Sequence, residues 1–259
     1  MHHFFVSENN IDLENKRVYI EGTDVNHIKN VLRMKIGEEM LVSDGNGHDY
    51  LCEIEKYDEN DSVISVITDD TSRGVELPSK IYLFQGLPKG DKMELIIQKA
   101  VELGVYEIIP VSTKRTVVKL NEKKEKSKIE RYNKISESAA KQSKRSIIPE
   151  VKGVMTFKDA LKYASEFDIN LIPYENYKDM TETKKAVQKI GKNQKIGIFI
   201  GPEGGFDESE VEIAKIVENS ASAAEPPDYR NVVAFGVFSI YLRDGVLVSA
   251  DYDGRGMPP

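Results

Sequence analysis

Short apolar runs separated by turn residues fill the first part of the chain, residues 1–72. Arg17–Ile20, Glu39–Ser43 and Ser62–Ile67 each have the length and composition that are typical of β-strands. After the second of these runs, Asp44-Gly-Asn-Gly47 predicts a hairpin turn, because Asn, Asp and Gly accept positive φ angles. The pattern therefore predicts a region that consists mainly of β-structure.

One helix is expected inside this β region. Residues Thr23–Met34 are the predicted helix, with Thr23 or Asp24 as its N-terminal cap. The segment Thr71–Ser79 is polar and is interrupted by Gly and Pro, which is typical of a boundary between domains. We therefore predict a first domain that covers residues 1–72.

The second predicted domain, residues 73–259, begins by alternating strands with helices. The predicted strands are Lys80–Leu87, Val105–Val111, Ile169–Pro173 and Lys195–Ile200. The predicted helices are Asp91–Leu103, Ser127–Ser143, Met180–Ile190 and Asp207–Val217. Strands that alternate with helices form a parallel sheet with helices on both faces, so the fold class is α/β. Asp91 and Glu94 have the spacing of a capping box, and Gly104 is the expected helix terminator.

The segment Lys195–Phe206, with the sequence KIGIFIGPEGGF, carries the strongest functional signal. A buried strand stops at Gly201-Pro202, and a helix follows at Asp207, with Glu210 at capping-box spacing. Three glycines in five residues let the backbone approach a ligand closely, and open α/β sheets bind ligands at such turns. The sequence matches neither a Walker loop nor a dinucleotide-binding fingerprint. A plain strand-to-helix turn is the alternative interpretation.

Composition limits the classes of protein to consider. The 259 residues are 40% hydrophobic, which supports a real core, but no apolar run approaches the length needed to cross a bilayer. Met1–Phe5 lacks the pattern of a secretory signal. The single cysteine, Cys52, excludes an internal disulfide and fits a reducing cytoplasm, and with four histidines a metal site is not expected. His2 and His3 are also compatible with a fragment of a purification tag.

Charge is distributed unevenly along the chain. The formal net charge is −7, yet Lys114–Arg145 contains twelve Lys or Arg residues against four Glu, a local balance of +8. The remainder of the chain therefore carries −15. Such asymmetry is typical of a phosphate-binding surface, although a solvated Lys/Glu helix is the simpler interpretation of Lys123–Lys128.

Several motifs in this order resemble one protein family. Ile200–Phe206 is similar to the cofactor loop of the SPOUT methyltransferases. Leu87-Pro-Lys89 with Gln98–Gly104, Glu137–Pro149 and His27–Arg33 resembles the RsmE family within that superfamily. The resemblance covers residues 1 to about 218.

The resemblance implies a function. RsmE proteins methylate N3 of a uridine in 16S ribosomal RNA with S-adenosylmethionine, and they are cytoplasmic homodimers. The implied fold is a PUA-like β barrel that holds RNA, followed by a SPOUT-type parallel α/β domain with a trefoil knot. The implied cofactor-binding residues are Leu87, Pro88, Gly201, Pro202, Glu203, Gly204 and Gly205. The expected RNA-binding residues are Arg33, Lys114, Arg115, Arg131, Gln142 and Arg145. Lys89 or Arg115 is the candidate to stabilise a uridine anion, and no general base is assigned.

The resemblance ends in residues 219–259, which we treat as an atypical tail. The family normally continues with an Arg-Thr-Glu-Thr loop that closes the cofactor pocket, and this chain lacks that sequence. Asn231–Ala250 instead predicts two β-rich runs around a turn at Asp244-Gly245, and Asp251–Pro259 is expected to be disordered. The tail is either divergent but working, or the result of a frameshift or a rearranged gene end that leaves a catalytically impaired RNA-binding homologue. A third functional hypothesis is an unrelated α/β nucleotide-binding protein, which would need a phosphate-binding loop that the sequence lacks.

Overall fold

The chain divides into two compact units in the computed structural model. The model describes residues 1–58, 61–70, 74–118, 121–173, 188, 190–219, 232–235, 239–243 and 246–251. One unit comprises Met1–Glu76 with Ser136–Ile148, and the other comprises Leu77–Ile135 with Pro149–Pro259. The segment Ser136–Ile148 thus returns to the first unit, which no local pattern in the sequence indicates.

The first unit is built on a six-stranded sheet with the order β1-β4-β5-β6-β3-β2. Its strands are β1 (His2–Phe5), β2 (Ile11–Asp12), β3 (Arg17–Ile20), β4 (Glu39–Ser43), β5 (Asp49–Asp58) and β6 (Ser62–Asp70). β1 pairs with β4 in parallel, and the other pairs are antiparallel. The pairing of β5 with β6 contains two register shifts, and bulges of this kind increase local twist. The predicted β region is confirmed.

Apolar side chains alternate along these strands and fill one core. Phe4, Ile20, Met40 and Cys52 are among its fully buried members. Burial raises the pKa of the Cys52 thiol to about 12, so this cysteine packs as an apolar side chain. His3 is also buried, and its Nε2 lies 2.7 Å from the hydroxyl of Ser43 on the neighbouring strand. His2 and His3 thus belong to β1, an edge strand of this sheet, and His3 contributes to the packing of the unit.

The hairpin turn and the helix of the first unit form where they are predicted, but the cap of the helix differs from its prediction. Gly45 and Gly47 have φ angles of +79° and +113°, as the predicted turn requires. The helix comprises α1 (Thr23–Asn26) and a π-helical turn, His27–Leu32. Its cap residue is Gly22, with no side-chain hydrogen bond, so capping by Thr23 or Asp24 is wrong. The carboxylate of Asp24 instead lies 3.1 Å from Nζ of Lys141.

The segment Ser136–Ile148 joins this unit through buried polar contacts. The guanidinium of Arg145 forms an ion pair with Glu76, whose carboxylate also accepts the backbone N–H groups of Ser146 and Ile147. The hydroxyl of Ser146 donates to the buried carboxylate of Asp49 at 2.6 Å. These contacts join residues about 70 to 97 positions apart in the chain.

The second unit is a parallel sheet with the order β10-β8-β7-β12-β11-β13, and β9 pairs with β8. Its strands are β7 (Lys80–Gly86), β8 (Glu107–Ser112), β9 (Glu150–Val151), β10 (Met155–Thr156), β11 (Ile169–Pro173), β12 (Lys195–Ile200) and β13 (Val232–Phe235). Its helices are α2 (Lys92–Glu102), α3 (Glu122–Ser143), α4 (Phe157–Ala164) and α5 (Glu208–Asn219), where the last eight residues of α3 belong to the first unit. The α/β prediction is confirmed. The predicted helix Met180–Ile190 lies almost wholly outside the described residues.

Aromatic packing supports this sheet. The rings of Phe84 on β7 and Phe199 on β12 are stacked with centroids 4.2 Å apart, and Phe157 meets Phe199 edge-on. Burial of each such side chain contributes about 1.5–3 kcal/mol to stability. Packing of this kind keeps β7 and β12 side by side and positions the loops that follow them.

Helix α2 differs from its prediction at the N-terminus and agrees with it at the C-terminus. Asp91 is its cap residue but makes no side-chain cap hydrogen bond, so the capping box with Glu94 is wrong. Glu94 instead forms an ion pair with Arg131 at 2.8 Å. Gly104 ends the helix with a φ of +95°, as predicted. Among the described residues, no helix has the length and hydropathy that a membrane span requires.

The C-terminal part of the described chain is β-structure. β13 lies parallel to β11 at the edge of the sheet. β14 (Ser239–Arg243) and β15 (Val246–Asp251) form an antiparallel pair, which confirms the predicted hairpin. The predicted disordered end falls outside the described residues except for residue 251, which is the last residue of β15.

Candidate functional site

Three loops of the second unit meet at the carboxyl ends of neighbouring strands. β7 lies between β8 and β12 in the sheet, and the chain proceeds from β7 to β8 on one side and reaches β12 on the other. Such a change of direction creates a crevice where open α/β sheets bind ligands. The loops that follow the three strands comprise residues 87–91, 113–116 and 201–207.

The loops after β7 and β12 meet where Gly86 lies against Pro202, and the loop after β12 is itself tightly folded where Gly201 lies against Gly205. A Cβ atom placed on Gly86 would lie 2.7 Å from Cδ of Pro202, and one on Gly201 would lie 2.9 Å from the carbonyl carbon of Gly205. Real Cβ atoms do not come so close to other atoms, so these positions accept only glycine without a shift of the backbone. Gln85 Nε2 donates to the carbonyl of Gly86 at 2.9 Å.

Glu203 connects the same two loops by charge. Its carboxylate accepts the backbone N–H of Lys89 at 3.2 Å and forms an ion pair with Lys92 Nζ at 2.8 Å. The hydrogen bond from Lys92 lowers the pKa of Glu203 to about 2, so the carboxylate stays ionised at neutral pH. These contacts join the loop after β12 to the loop after β7.

Arg115 contacts the glycine-rich turn directly. Its Nη1 donates to the carbonyl of Gly204 at 2.6 Å, and its Nε lies 4.0 Å from the carboxylate of Asp207. The turn that carries Arg115 is closed locally, because the backbone N–H of Thr113 donates to the hydroxyl of Thr116 at 3.0 Å. The guanidinium is therefore held in place against the predicted cofactor loop.

The start of α5 has a capping box, and one of its residues also contacts the loop after β8. The carboxylate of Glu210 accepts the N–H of Asp207 at 3.0 Å, and Asp207 accepts the N–H of Ser209 at 3.2 Å, which confirms the predicted cap. The hydrogen bond from Ser209 lowers the pKa of Asp207. Glu210 is buried and also accepts the N–H of Lys114 at 2.8 Å. The sequence indicates only the capping role of Glu210, through its spacing from Asp207. It gives no signal for the contact with Lys114.

The remaining cofactor candidates lie at the same edge. Leu87 and Pro88 are buried, and the N–H of Leu87 donates to the carbonyl of Val111 at 2.9 Å. Gly205 has a φ of +68° and uses its N–H within the turn, where it donates to the carbonyl of Pro202 at 2.8 Å. The structure thus brings all of the predicted cofactor-binding residues together with Lys89 and Arg115.

The RNA-binding candidates are divided between the units. Lys114 and Arg115 lie at the crevice, and Arg131, on α3, is exposed despite its ion pair with Glu94. In the first unit, Arg33 and Gln142 are exposed. Arg145 is only 6% exposed, and its ion pair with Glu76 gives it a structural role inside that unit.

Comparison with known proteins places these features in a family. The RNA methyltransferase domain family matches residues 75–222, and the RNA methyltransferase PUA domain family matches residues 20–67. These matches confirm the predicted order of a PUA-type domain and a methyltransferase domain. The first match ends close to residue 218, where the resemblance of the motifs also ends.

Named relatives agree with this result. The Bacillus subtilis ribosomal RNA small subunit methyltransferase E is 38% identical over 82% of this chain and 84% of its own length. The Mesomycoplasma hyopneumoniae protein of that name is 33% identical over 83% and 87%. The crystal structure of a ribosomal RNA small subunit methyltransferase E from Neisseria gonorrhoeae, bound to S-adenosyl methionine, is 26% identical, with a TM-score of 0.71 over 91% of this chain and 89% of that one. The chain therefore belongs to the ribosomal RNA small subunit methyltransferase E (RsmE) family.

Proposed function

We propose that this protein transfers the methyl group of S-adenosylmethionine to N3 of a uridine in 16S ribosomal RNA. Membership of the family and the cofactor in the Neisseria gonorrhoeae relative support the reaction class and the cofactor. The choice of uridine N3 comes from the resemblance of the motifs. As its relatives are expected to do, the protein acts in the cytoplasm as a homodimer on the small ribosomal subunit or its RNA.

The crevice at the ends of β7 and β12 fits this cofactor. Leu87, Pro88 and Pro202 are buried there, which suits the flat faces of an adenine ring, and the glycine-rich turn leaves its backbone uncovered by side chains. The single observation that carries the proposal is the close contact of Gly86 with Pro202, since it holds both loops in one arrangement. When bound, S-adenosylmethionine supplies an electrophilic methyl group on a sulfonium ion.

The protein's own residues have two tasks in this reaction. They hold the uridine in line with the methyl group, which is largely a matter of positioning. They also favour the N3 anion, because N3 carries a proton and is a poor nucleophile until that proton leaves. Arg115 is suited to the second task, because Gly204 and Asp207 hold its cationic group beside the turn. Lys89, whose side chain is exposed at the crevice, is the second candidate.

RNA binding is assigned to basic and polar residues of both units. Lys114, Arg115 and Arg131 in the second unit, with Arg33 and Gln142 in the first, are the proposed contacts. We do not include Arg145, because Glu76 engages its buried guanidinium. Phosphate contacts release counterions, so affinity is expected to fall steeply between 50 and about 200 mM salt.

Two measurements test the proposal. Calorimetric titration of the full chain with S-adenosylmethionine is expected to give saturable heat. Methylation mapping of 16S ribosomal RNA from a strain that carries this gene as its only copy is expected to show one N3-methylated uridine, which is lost on deletion. Saturable cofactor binding with a methyl group at another position would contradict the uridine N3 assignment alone.

One observation favours a second candidate, an RNA-binding homologue without turnover. The family match ends at residue 222, and the chain lacks the Arg-Thr-Glu-Thr loop expected to close the cofactor pocket. Absence of saturable heat with S-adenosylmethionine, while RNA still binds, would establish this alternative. Sequencing of the locus would add the cause, since an Arg-Thr-Glu-Thr sequence encoded in another reading frame would reveal a frameshift.

A further inference from the structure

The first unit contains a pocket that the cofactor crevice does not explain. Its volume is about 400 Å³, within the range of small-molecule sites. Its lining comes from β1, from the helix that begins at α1, and from the C-terminal end of α3. The lining residues that matter here are His2, His27, Leu32, Lys141, Gln142 and Lys144.

Lys144 occupies a backbone conformation that favours glycine. Its φ angle is +57°, and it follows the last residue of α3. The N–H of Lys144 donates to the carbonyl of Lys141, and the N–H of Arg145 donates to the carbonyl of Ala140. This pair of bonds is a Schellman motif, in which glycine is usual at the left-handed position because other residues are strained there. The backbone conformation by itself therefore favours glycine over lysine at this position.

The other lining residues contribute a lysine whose charge is largely balanced, an imidazole ring and an exposed amide. Lys141 is held by two carboxylates, at 3.1 Å from Asp24 and 3.0 Å from Glu137, so much of its charge is balanced. His27 lies edge-on to the buried ring of Phe4, with centroids 6.3 Å apart, and this contact supports the imidazole at the pocket. Gln142 is exposed and carries both donors and an acceptor.

We propose that this pocket receives one unpaired nucleotide of the RNA substrate, with a phosphate at Lys144. The base lies against the imidazole of His27, and Gln142 meets the edge of the base. Imidazole rings, basic side chains and amides are the groups that recognise unpaired RNA bases and their phosphates. The proposal rests on RNA as the substrate, which is part of the proposed function.

The test compares two lysines with the same backbone strain. Lys144→Gly removes the charge at the pocket and places glycine where the backbone prefers it. Lys16→Gly is the matched control, because Lys16 lies in the same unit, is exposed, has a φ of +52° and does not line the pocket. Both variants are expected to melt at or above the temperature of the wild-type chain, since glycine relieves the strain.

Only Lys144→Gly is expected to weaken RNA binding. The probe is a fluorescent oligouridylate of about ten nucleotides, and fluorescence anisotropy of the full chain gives its affinity. We expect a loss of about tenfold for Lys144→Gly and none for Lys16→Gly. Loss of one phosphate contact also lowers the slope of log affinity against log salt by about 0.7. His27→Ala is expected to weaken binding, and His27→Phe to restore it, because phenylalanine retains a ring that stacks.

The outcomes separate this proposal from the proposed function. Equal affinity and equal salt slope for the two glycine variants would overturn the pocket, whatever the chain does with S-adenosylmethionine. Unchanged affinity in His27→Ala would overturn the placement of the base. Failure of the wild-type chain to bind S-adenosylmethionine, with the difference between Lys144→Gly and Lys16→Gly intact, would refute methyl transfer and leave the pocket standing.

Discussion

Basic residues occupy different settings at the crevice of the second unit and at the pocket of the first unit. At the crevice, Lys92 and Arg115 hold the loops together through Glu203 and the carbonyl of Gly204. At the pocket, Lys144 occupies a backbone position that glycine would fill at lower cost. The charges of the crevice, like that of Lys141 at the pocket, therefore build local geometry, whereas we assign Lys144 to a phosphate of the RNA.

Loss of the ion pair between Arg145 and Glu76 is the largest effect that we expect, and it tests the structural role of Arg145. Arg145→Met leaves Glu76 without its guanidinium partner and should lower the free energy of unfolding by about 3 kcal/mol. Arg131→Met is the control, since its exposed pair with Glu94 contributes less than about 1 kcal/mol. Denaturant unfolding measures both variants.

The same two variants sharpen the assignment of RNA contacts. At a temperature where both are folded, Arg131→Met should weaken RNA binding and Arg145→Met should not. Weaker RNA binding in Arg145→Met, with unchanged binding in Arg131→Met, would contradict this assignment and would identify Arg145 as an RNA contact.

Addition of a methyl group at Gly86 gives the next largest expected effect, and it tests the packing of the crevice. Gly86→Ala places a Cβ atom 2.7 Å from Pro202, and the loops must separate. We expect a stability loss of about 1–3 kcal/mol and a loss of affinity for S-adenosylmethionine of tenfold or more. Gly153→Ala is the control, because its Cβ would lie 3.6 Å from Glu125, an ordinary contact. Calorimetry and thermal unfolding give both quantities, and wild-type cofactor affinity in Gly86→Ala would contradict our account of the crevice.

Substitution of Glu203 gives the smallest effect that we expect. The change in its contribution to stability with pH has a definite sign. Because Lys92 lowers the pKa of Glu203 from 4.5 to about 2, the ionised carboxylate stabilises the folded chain above pH 4.5. This contribution is lost as the pH falls from 4.5 towards 2. The difference in melting temperature between wild type and Glu203→Gln should therefore be constant from pH 8 to about 5 and should shrink below that. A difference that grows on acidification would show that Glu203 is not held as described.

Local patterns in the sequence were enough to predict much of the fold. β11 and β12 have the predicted bounds, because each is a short apolar run between residues that end strands. The cap of α5 was predicted because Asp207 and Glu210 interact across one helical turn. The glycine-rich turn is a candidate from its pattern because it ends a strand, whereas Leu87 and Pro88 are candidates only through the family resemblance. The parallel sheet brings both turns to the same edge.

Contacts between distant residues were decided only by the tertiary structure. The return of Ser136–Ile148 to the first unit, the pairing of Asp24 with Lys141 and the place of β13 beside β11 each join residues that are far apart in the chain. The burial of Arg145 belongs to the same class, since its charge alone predicted a surface role. Periodicity and spacing report on neighbours within a turn or a strand. Which distant groups meet is determined by how the whole chain packs, and no local pattern records it.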